Sequence, residues 1–416
     1  MKLTPSPFAP ARFPDLPVVK GVRAATGSRG FYAARGMTRD DVFLFSFEEG
    51  THCAGVYTLS HTASADVIWC REALKSGAGK ARALIANSGN SNAFTGAKGV
   101  LKNEATLKAL TDTLGVEKQE CFLAATGVIG EPLPDPNYVG AFVPDLAGKL
   151  SAPDWEAAAR AFMTTDTFPK GAGLATKIDG VNVNLAGIAK GSGMIAPNMA
   201  TLLAFIFTDA AISPQILQSL LTTGVSTSFN CITVDSDTST SDTLLLAATG
   251  QAGNHAPRSI RDRGLRAFRR ALNEVLTDLA IQVVRDGEGA SKFITIEVSG
   301  ASSPAAARRA ALAVANSPLV KTAIAGEDAN WGRVIMAVGK SGVRLDPSKL
   351  SVAIGGVMIA ENGGRVDRYD ESLLTDHLHG TEILIEVDLG VGRSEGRLWT
   401  CDLTHDYIRI NADYRT

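Results

Sequence analysis

The sequence is short of the patterns on which several common chemistries depend. Its five cysteines, Cys53, Cys70, Cys121, Cys231 and Cys401, are dispersed and never form a C-x-x-C pair. An odd, scattered set builds neither a disulfide framework nor a zinc cluster, so a reducing compartment is favoured. No apolar run approaches the ~18 residues that a membrane-spanning helix needs. The opening residues MKLTPSPFAPARFPDLP are too broken by proline for a secretory signal. The expected location is the cytoplasm, with no membrane partner. Charge of one sign is also lacking: 41 Lys and Arg stand against 43 Asp and Glu, a net charge of −2. No polyanion is drawn to such a field, and nucleic acid is not an expected partner. The densest basic cluster, Arg261 to Arg270, reads as the solvated face of a helix.

Several motifs fail on particular residues. The phosphate loop G-x-x-x-x-G-K-[ST] finds its end in Gly339-Lys340-Ser341, but Val334 stands where its first glycine belongs. No G-x-G-x-x-G follows the first strand, and neither H-E-x-x-H nor G-x-S-x-G occurs. His377 and His379 alternate, which would bring both imidazoles to one face of a strand, yet no carboxylate or cysteine stands at metal spacing. Neither a metal nor a bound cofactor is expected.

What is present is an ordinary globular balance, 45% apolar and 20% charged residues in a chain of 416, enough for two or three domain-sized units or one large body. The 41 glycines are clustered rather than periodic, as tight turns and close backbone approaches require. Apolar spacing predicts a helix ending at Gly115, one over 152–164 opening at Pro153-Asp154, and a long one over 261–285. Residues 176–189 read as a hairpin turning at Asp179-Gly180. Residues 232–249 read as strand, loop, strand, and the last third as strands over 343–356, 382–390, 397–404 and 407–415. Long helices mixed with hairpin-like strands predict an α+β fold rather than a doubly wound parallel sheet.

The most informative stretch runs from Lys190 to Phe207, KGSGMIAPNMATLLAFIF. A glycine-rich loop passes through Pro197 to Ala200-Thr201 and then into an apolar, strand-like block. One reading is a loop entering a buried strand, with Thr201 satisfying backbone. The other is self-cleavage: backbone strain beside a hydroxyl lets Thr201 attack the Ala200 carbonyl and become a new N-terminus. Its freed α-amine then serves as a built-in base. Cleavage would leave an α chain, 1–200, and a β chain, 201–416. Neither half reads as a stand-alone core, because the block after Thr201 needs cover on both faces. Thr126-Gly127 follows a buried strand and can aim a hydroxyl and a free N–H at a developing oxyanion, or simply end the strand. Lys190 can meet a carboxylate, or be solvated. Glu288, between Gly287 and Gly289, can meet an ammonium, or sit in an acidic turn. Asn411 to Thr416 can cap a site, or fray.

Together these blocks resemble the ornithine acetyltransferases, also called glutamate N-acetyltransferases, of arginine biosynthesis. The matching segments are NSGNSNAFTG at 87–96, ATGVIG at 125–130, MTTDTFPK at 163–170, GIAKGSGMIAPNMAT at 187–201, SFNCITVDSDTSTSDT at 228–243, DGEGASKF at 286–293, DANWGR at 328–333 and YIRINADYRT at 407–416. The first eighty residues match weakly, and Ala125 stands where a serine is common. The resemblance implies a self-processing precursor with Thr201 as nucleophile, and Thr126 and Gly127 as the oxyanion hole. It implies substrate contacts from Thr164 or the adjacent Thr165, and from Lys190, Thr201, Glu288, Asn411 and Thr416. The implied fold is a layered sandwich of sheets covered by helices, similar to the self-processing L-aminopeptidases. The implied reaction moves an acetyl group from N2-acetylornithine to glutamate, with acetyl-CoA a further donor in some relatives. The α and β chains would associate as α2β2 or higher.

Overall fold

The apolar block after Thr201 becomes the central strand of the molecule. In the computed structural model, which describes residues 4–196, 202–368 and 370–413, Leu203–Thr208 is buried along its whole length. It lies between Val181–Lys190, antiparallel to it, and Thr243–Ala248, parallel to it. His52–Tyr57 and Lys170–Ile178 complete this five-stranded sheet as its edges. The two-residue alternation of a strand sends Leu203, Phe205 and Phe207 into one core and Ala204 and Ile206 into another. That is why the sequence there is apolar without a break: both faces are covered.

The first of those cores lies against a four-stranded sheet, Val22–Gly27, Val42–Phe47, Ala83–Asn87 and Cys121–Ala125. Phenylalanines from the two sheets meet ring to ring. Phe43 and Phe205 stand 5.4 Å apart edge-on, and Phe45 and Phe207 are 4.6 Å apart. Helices Ala65–Ser76 and Gly96–Leu114 cover the outer face of the four-stranded sheet, and Pro214–Ser226 and Leu265–Arg285 cover that of the five-stranded one. The order is therefore helix, sheet, sheet, helix, as expected of a layered α+β sandwich. A six-stranded sheet from the last third, containing Phe293–Ala301 and Glu382–Asp388 as a parallel pair, carries its own core beneath Pro304–Ala315 and Trp331–Gly339.

Local chemistry explains the element ends. Gly115 closes its helix in the left-handed region at φ 65°, and the Asp154 side chain caps Trp155–Ala161 by accepting the Ala157 N–H. Asp179 and Gly180 both have positive φ, 47° and 85°, the two-residue turn that suits a right-twisted hairpin. Other expectations need correction. The helix at 152–164 is confined to Trp155–Ala161, and the long helix starts at Leu265. Of the strand, loop, strand expected over 232–249 the last strand is present as Thr243–Ala248, but the first is not, and Asp235 there turns its carboxylate onto the N–H groups of Met194 and Ile195. His405–Asp413 is a helix rather than a strand, and His377 and His379 lie on helix Glu371–His379. At helical spacing those two rings leave the shared face that a strand would have given them.

Phe207, 1% exposed, packs on Phe45, Phe47 and Trp155. Phe207→Ala is expected to cost about 3–5 kcal/mol, the usual penalty for emptying a core aromatic site. Urea unfolding should show a lowered midpoint with an unchanged slope.

Candidate active site

Two parallel strands, Ala83–Asn87 and Cys121–Ala125, end side by side, and the turns that follow them interlock. Thr126 N–H donates to Asn87 O at 3.0 Å, and Ser91 N–H to Val128 O at 3.1 Å. Gly127 has φ 126°, and a Cβ there would fall 2.4 Å from the Gly89 carbonyl carbon. Only glycine satisfies both constraints. Among the described residues its N–H has no acceptor, so it is free to donate. The asparagines of the NSGNSN block serve as scaffold here. Asn87 Nδ2 donates to Asn90 O at 2.9 Å, and Asn92 Nδ2 donates to Asp66 and Asn103 at 2.7 and 3.0 Å. Asp66 is also paired with buried Lys102 at 2.9 Å.

Lys190 ends the strand next to the central one. It is 3% exposed, and its Nζ lies 3.4 Å from Thr126 Oγ1. Burial pushes its pKa down, against the pull of Asp166, Glu288 and Asp242. Behind it lies a fully buried ion cluster: Lys170 Nζ is 2.7 Å from Asp166 and 2.5 Å from Asp286. Burial would raise Asp166, but the charges of Lys170 and Lys190 outweigh it and hold this carboxyl well below the usual range. Burial takes Asp286 the other way, to about 6, against the pull of Lys170. The same carboxylates hold the site's loops. Asp166 accepts the N–H groups of Thr164 and Gly191 at 3.0 and 2.6 Å, and Asp286 accepts that of Thr167 at 2.9 Å.

The opposite wall is built on residues 191–196. Glu288 N–H donates to Ser192 O at 2.9 Å, and the Glu288 carboxylate lies over Gly193, where a Cβ would come within 2.5 Å of it. Asn411, on the last described helix, donates its amide to Glu288 Oε2 at 2.7 Å. Thr165 Oγ1 and Ser192 Oγ are 2.7 Å apart, so the Thr165 hydroxyl is already engaged. Asp235 fastens the same loop by accepting the N–H groups of Met194 and Ile195 at 2.6 and 2.9 Å.

One cleft is lined by Thr126, Gly127, Thr164, Thr165, Lys190, Glu288 and Asn411, seven of the residues singled out from the sequence. Ala200, Thr201 and Thr416 lie outside the described residues. Ser91, Gly193 and Ser239 to Ser241 also line the cleft. Sequence reasoning passes over them, together with Asp166, Lys170 and Asp235, although all of them lie in the matching blocks. A larger hollow on the open face of the six-stranded sheet gathers mainly acidic and small residues and has no such convergence. His377 Nε2 accepts Leu384 N–H at 2.9 Å, a structural role. Among the described residues no cluster of three or more His, Cys, Asp or Glu is arranged to hold a metal, and no helix is long and apolar enough to cross a membrane.

The sequence model of the ArgJ family matches residues 24–416. The chain belongs to the ArgJ family. Two relatives called arginine biosynthesis bifunctional protein ArgJ align along its length. That of Gluconobacter oxydans is 53% identical, covering 99% of this chain and 96% of its own. That of Agrobacterium fabrum is 51% identical, covering 100% of both. A crystal structure of the ArgJ protein of Bacillus halodurans is 40% identical over 50% of this chain and 96% of its own, with a TM-score of 0.48.

Two outcomes follow for this ArgJ-family cleft. Lys170→Met leaves two buried carboxylates without their cation, and the expected loss is about 3–5 kcal/mol, read as a lower unfolding midpoint. Asp235 is raised by burial to about 6. The folded chain therefore binds its proton more tightly than the unfolded chain, and its contribution to stability falls as pH rises from about 4 to about 6. Asp235→Asn should lack that decline in denaturant titrations run across the same window.

Proposed function

We propose that this chain is a self-processing acetyltransferase that carries an acetyl group from N2-acetylornithine to glutamate. The observation that carries the reading is the convergence of Thr126, Gly127, Lys190, Glu288 and Asn411 on one cleft, at the end of the sheet where the strand beginning just after Thr201 starts. Family membership and the names of the full-length relatives support it.

The precursor splits between Ala200 and Thr201. The Thr201 hydroxyl, with its own α-amine accepting the proton, then attacks the acetyl carbonyl. Thr126 Oγ1 and Gly127 N–H stabilise the oxyanion, each such donor being worth ~2.7–4 kcal/mol. Ornithine leaves, glutamate enters, and its amine takes the acetyl group from Thr201. Lys190 holds the substrate α-carboxylate, and Glu288, steadied by Asn411, holds the ornithine ammonium. Thr164 is the better substrate contact of its pair, because Thr165 is bonded to Ser192. Thr416 closes the site. The acetyl-enzyme outlasts the exchange of substrates only if water is kept out. Acetyl-CoA serves as a second donor, and no resident cofactor takes part. The two chains stay together because the strands that follow Thr201 are hydrogen-bonded on both sides to strands that precede it within one sheet, and the assembly is α2β2 or larger in the cytoplasm.

Purified protein should run as two bands in place of one at 43.6 kDa, and Edman sequencing should find a chain beginning TLLAF. Acetylglutamate should form only when acetylornithine and glutamate are both supplied. Thr201→Ala should remain one chain and make none. Cleavage of that variant at the same bond, or acetate release independent of glutamate, would refute the reading.

A further inference from the structure

The last described helix, His405–Asp413, has nine residues. Helices that short are marginal in water, so its place is set by what its side chains grip. Most of its surface is exposed, and among its described side chains only Ile410 is buried. Two polar residues one turn apart, Tyr407 and Asn411, share a face of it, and each donates to a carboxylate. Tyr407 OH donates to Asp235 Oδ2 at 3.3 Å, and Asn411 Nδ2 to Glu288 Oε2 at 2.7 Å. Asn411 Nδ2 also donates to Tyr407 O at 3.0 Å, which ties the two anchors together. The start of the helix rests on the turn that carries Glu288. Thr404 Oγ1 donates to Gly289 O at 2.7 Å, and a Cβ on Gly289 would come within 2.6 Å of Tyr407 N.

Asp235 is the fixed end of this series of bonds. It accepts the N–H groups of Met194 and Ile195 at 2.6 and 2.9 Å, and the adjacent Val234 N–H donates to Ile195 O at 2.8 Å. Met194 lines the cleft with φ 58°, a conformation that a methionine keeps only where its surroundings impose it. Burial pushes the Tyr407 pKa up, and the charges of Asp235 and Glu288 push it further. The phenol therefore keeps its proton and remains a donor. Tyr407 is not among the residues that line the cleft. Glu288 Oε1, unlike Oε2, has no hydrogen-bond partner among the described residues.

We propose that Tyr407 is a positioning residue for recognition of the substrate's side-chain ammonium: gripping Asp235, it fixes the last described helix so that Asn411 holds Glu288 Oε2 and leaves Oε1 for the cation. The role rests on the acetyl-transfer reading given above, in which Glu288 meets the ornithine ammonium. Without the phenolic hydroxyl the helix loses its anchor on Asp235, the Asn411 amide is no longer held against Oε2, and the carboxylate is free to turn away.

The test compares two acetyl donors with purified protein at saturating glutamate: N2-acetylornithine, and N2-acetylnorvaline, which has the same carbon chain without the ammonium. Wild type should prefer acetylornithine in kcat/KM. Tyr407→Phe keeps the ring and removes the hydroxyl. For acetylornithine it should lower kcat/KM about ten-fold, the scale of a lost hydrogen bond to a charged group. The loss should appear in KM with kcat little changed, as when uniform binding is removed. For acetylnorvaline kcat/KM should stay at the wild-type value. In a Glu288→Gln background Tyr407→Phe should cost acetylornithine nothing further, because the two residues act as one unit. Equal losses on both donors would mark a merely structural role and overturn the proposal. So would wild-type behaviour of Tyr407→Phe, or a further loss in the Glu288→Gln background. If Tyr407→Phe does not fold, Asp235→Asn removes the anchor from its other end and decides: an unchanged ratio between the donors sinks the assignment. A wild-type protein that uses both donors equally refutes the role of Glu288, and one that uses neither refutes the acetyl-transfer reading; the role of Tyr407 falls with either.

Discussion

The site depends on one buried ammonium. Lys170 stands between Asp166 and Asp286 with no exposure to solvent, and each carboxylate has a second task. Asp166 holds the backbone of Thr164 and Gly191, on opposite sides of the cleft. Asp286 holds Thr167 and leads, two residues on, to Glu288. Ions buried this deeply are poor sources of net stability, since desolvation offsets much of their attraction. Their value here is geometric. A packed apolar substitute would fill the space without offering acceptors to these loops, and the cleft walls would then be set by loop entropy alone.

The same logic applies to the proposed cut before Thr201. In the five-stranded sheet the two strands from after Thr201, Leu203–Thr208 and Thr243–Ala248, lie side by side and are flanked by strands from before it, Val181–Lys190 on one side and His52–Tyr57 on the other. Breaking the Ala200–Thr201 peptide removes one covalent link and none of the described ladder bonds. The phenylalanine contacts between sheets likewise join Phe43 and Phe45, from the first half, to Phe205 and Phe207 from the second. A new chain terminus can therefore arise within a site without loosening it, which is what a preorganised nucleophile requires.

Much of this was legible beforehand because the relevant signals are local. An unbroken apolar run marks a strand covered on both faces, Asp179-Gly180 marks a tight turn, and Gly115 and Asp154 mark helix ends. The residues of the cleft were found through motif resemblance, which bridges sequence distance that periodicity cannot. Missed features were those whose meaning is tertiary. Nothing local distinguishes Asp166 or Lys170 from a solvated charge, since their partnership with Asp286 spans more than a hundred residues. Ile232 to Asp235 alternate apolar and polar groups as a strand would, yet the Asp235 carboxylate bonds to backbone elsewhere. YIRINAD has β-branched residues at intervals that fit either element, and its packing under Glu288 and Gly289 decides for helix.

The charges of the cleft also bear on how two unlike substrates share it. Under the proposed reaction a departing side chain is cationic and the arriving one anionic, yet both carry an α-carboxylate for Lys190. Glu288 attracts the first and repels the second, and at contact distance such a term reaches several kcal/mol even with an effective dielectric constant of about 20. Asn411 Nδ2 donates to both Glu288 Oε2 and Tyr407 O, so one oxygen of Glu288 is already engaged and only the amide oxygen, an acceptor, remains to meet another group. A site with only Glu288 would hold ornithine too well and glutamate too poorly. A site with only an amide would lose discrimination in favour of the cation. Under the proposed reaction both demands fall on Glu288, whose carboxylate lies over Gly193 with one oxygen held by Asn411 from the last described helix.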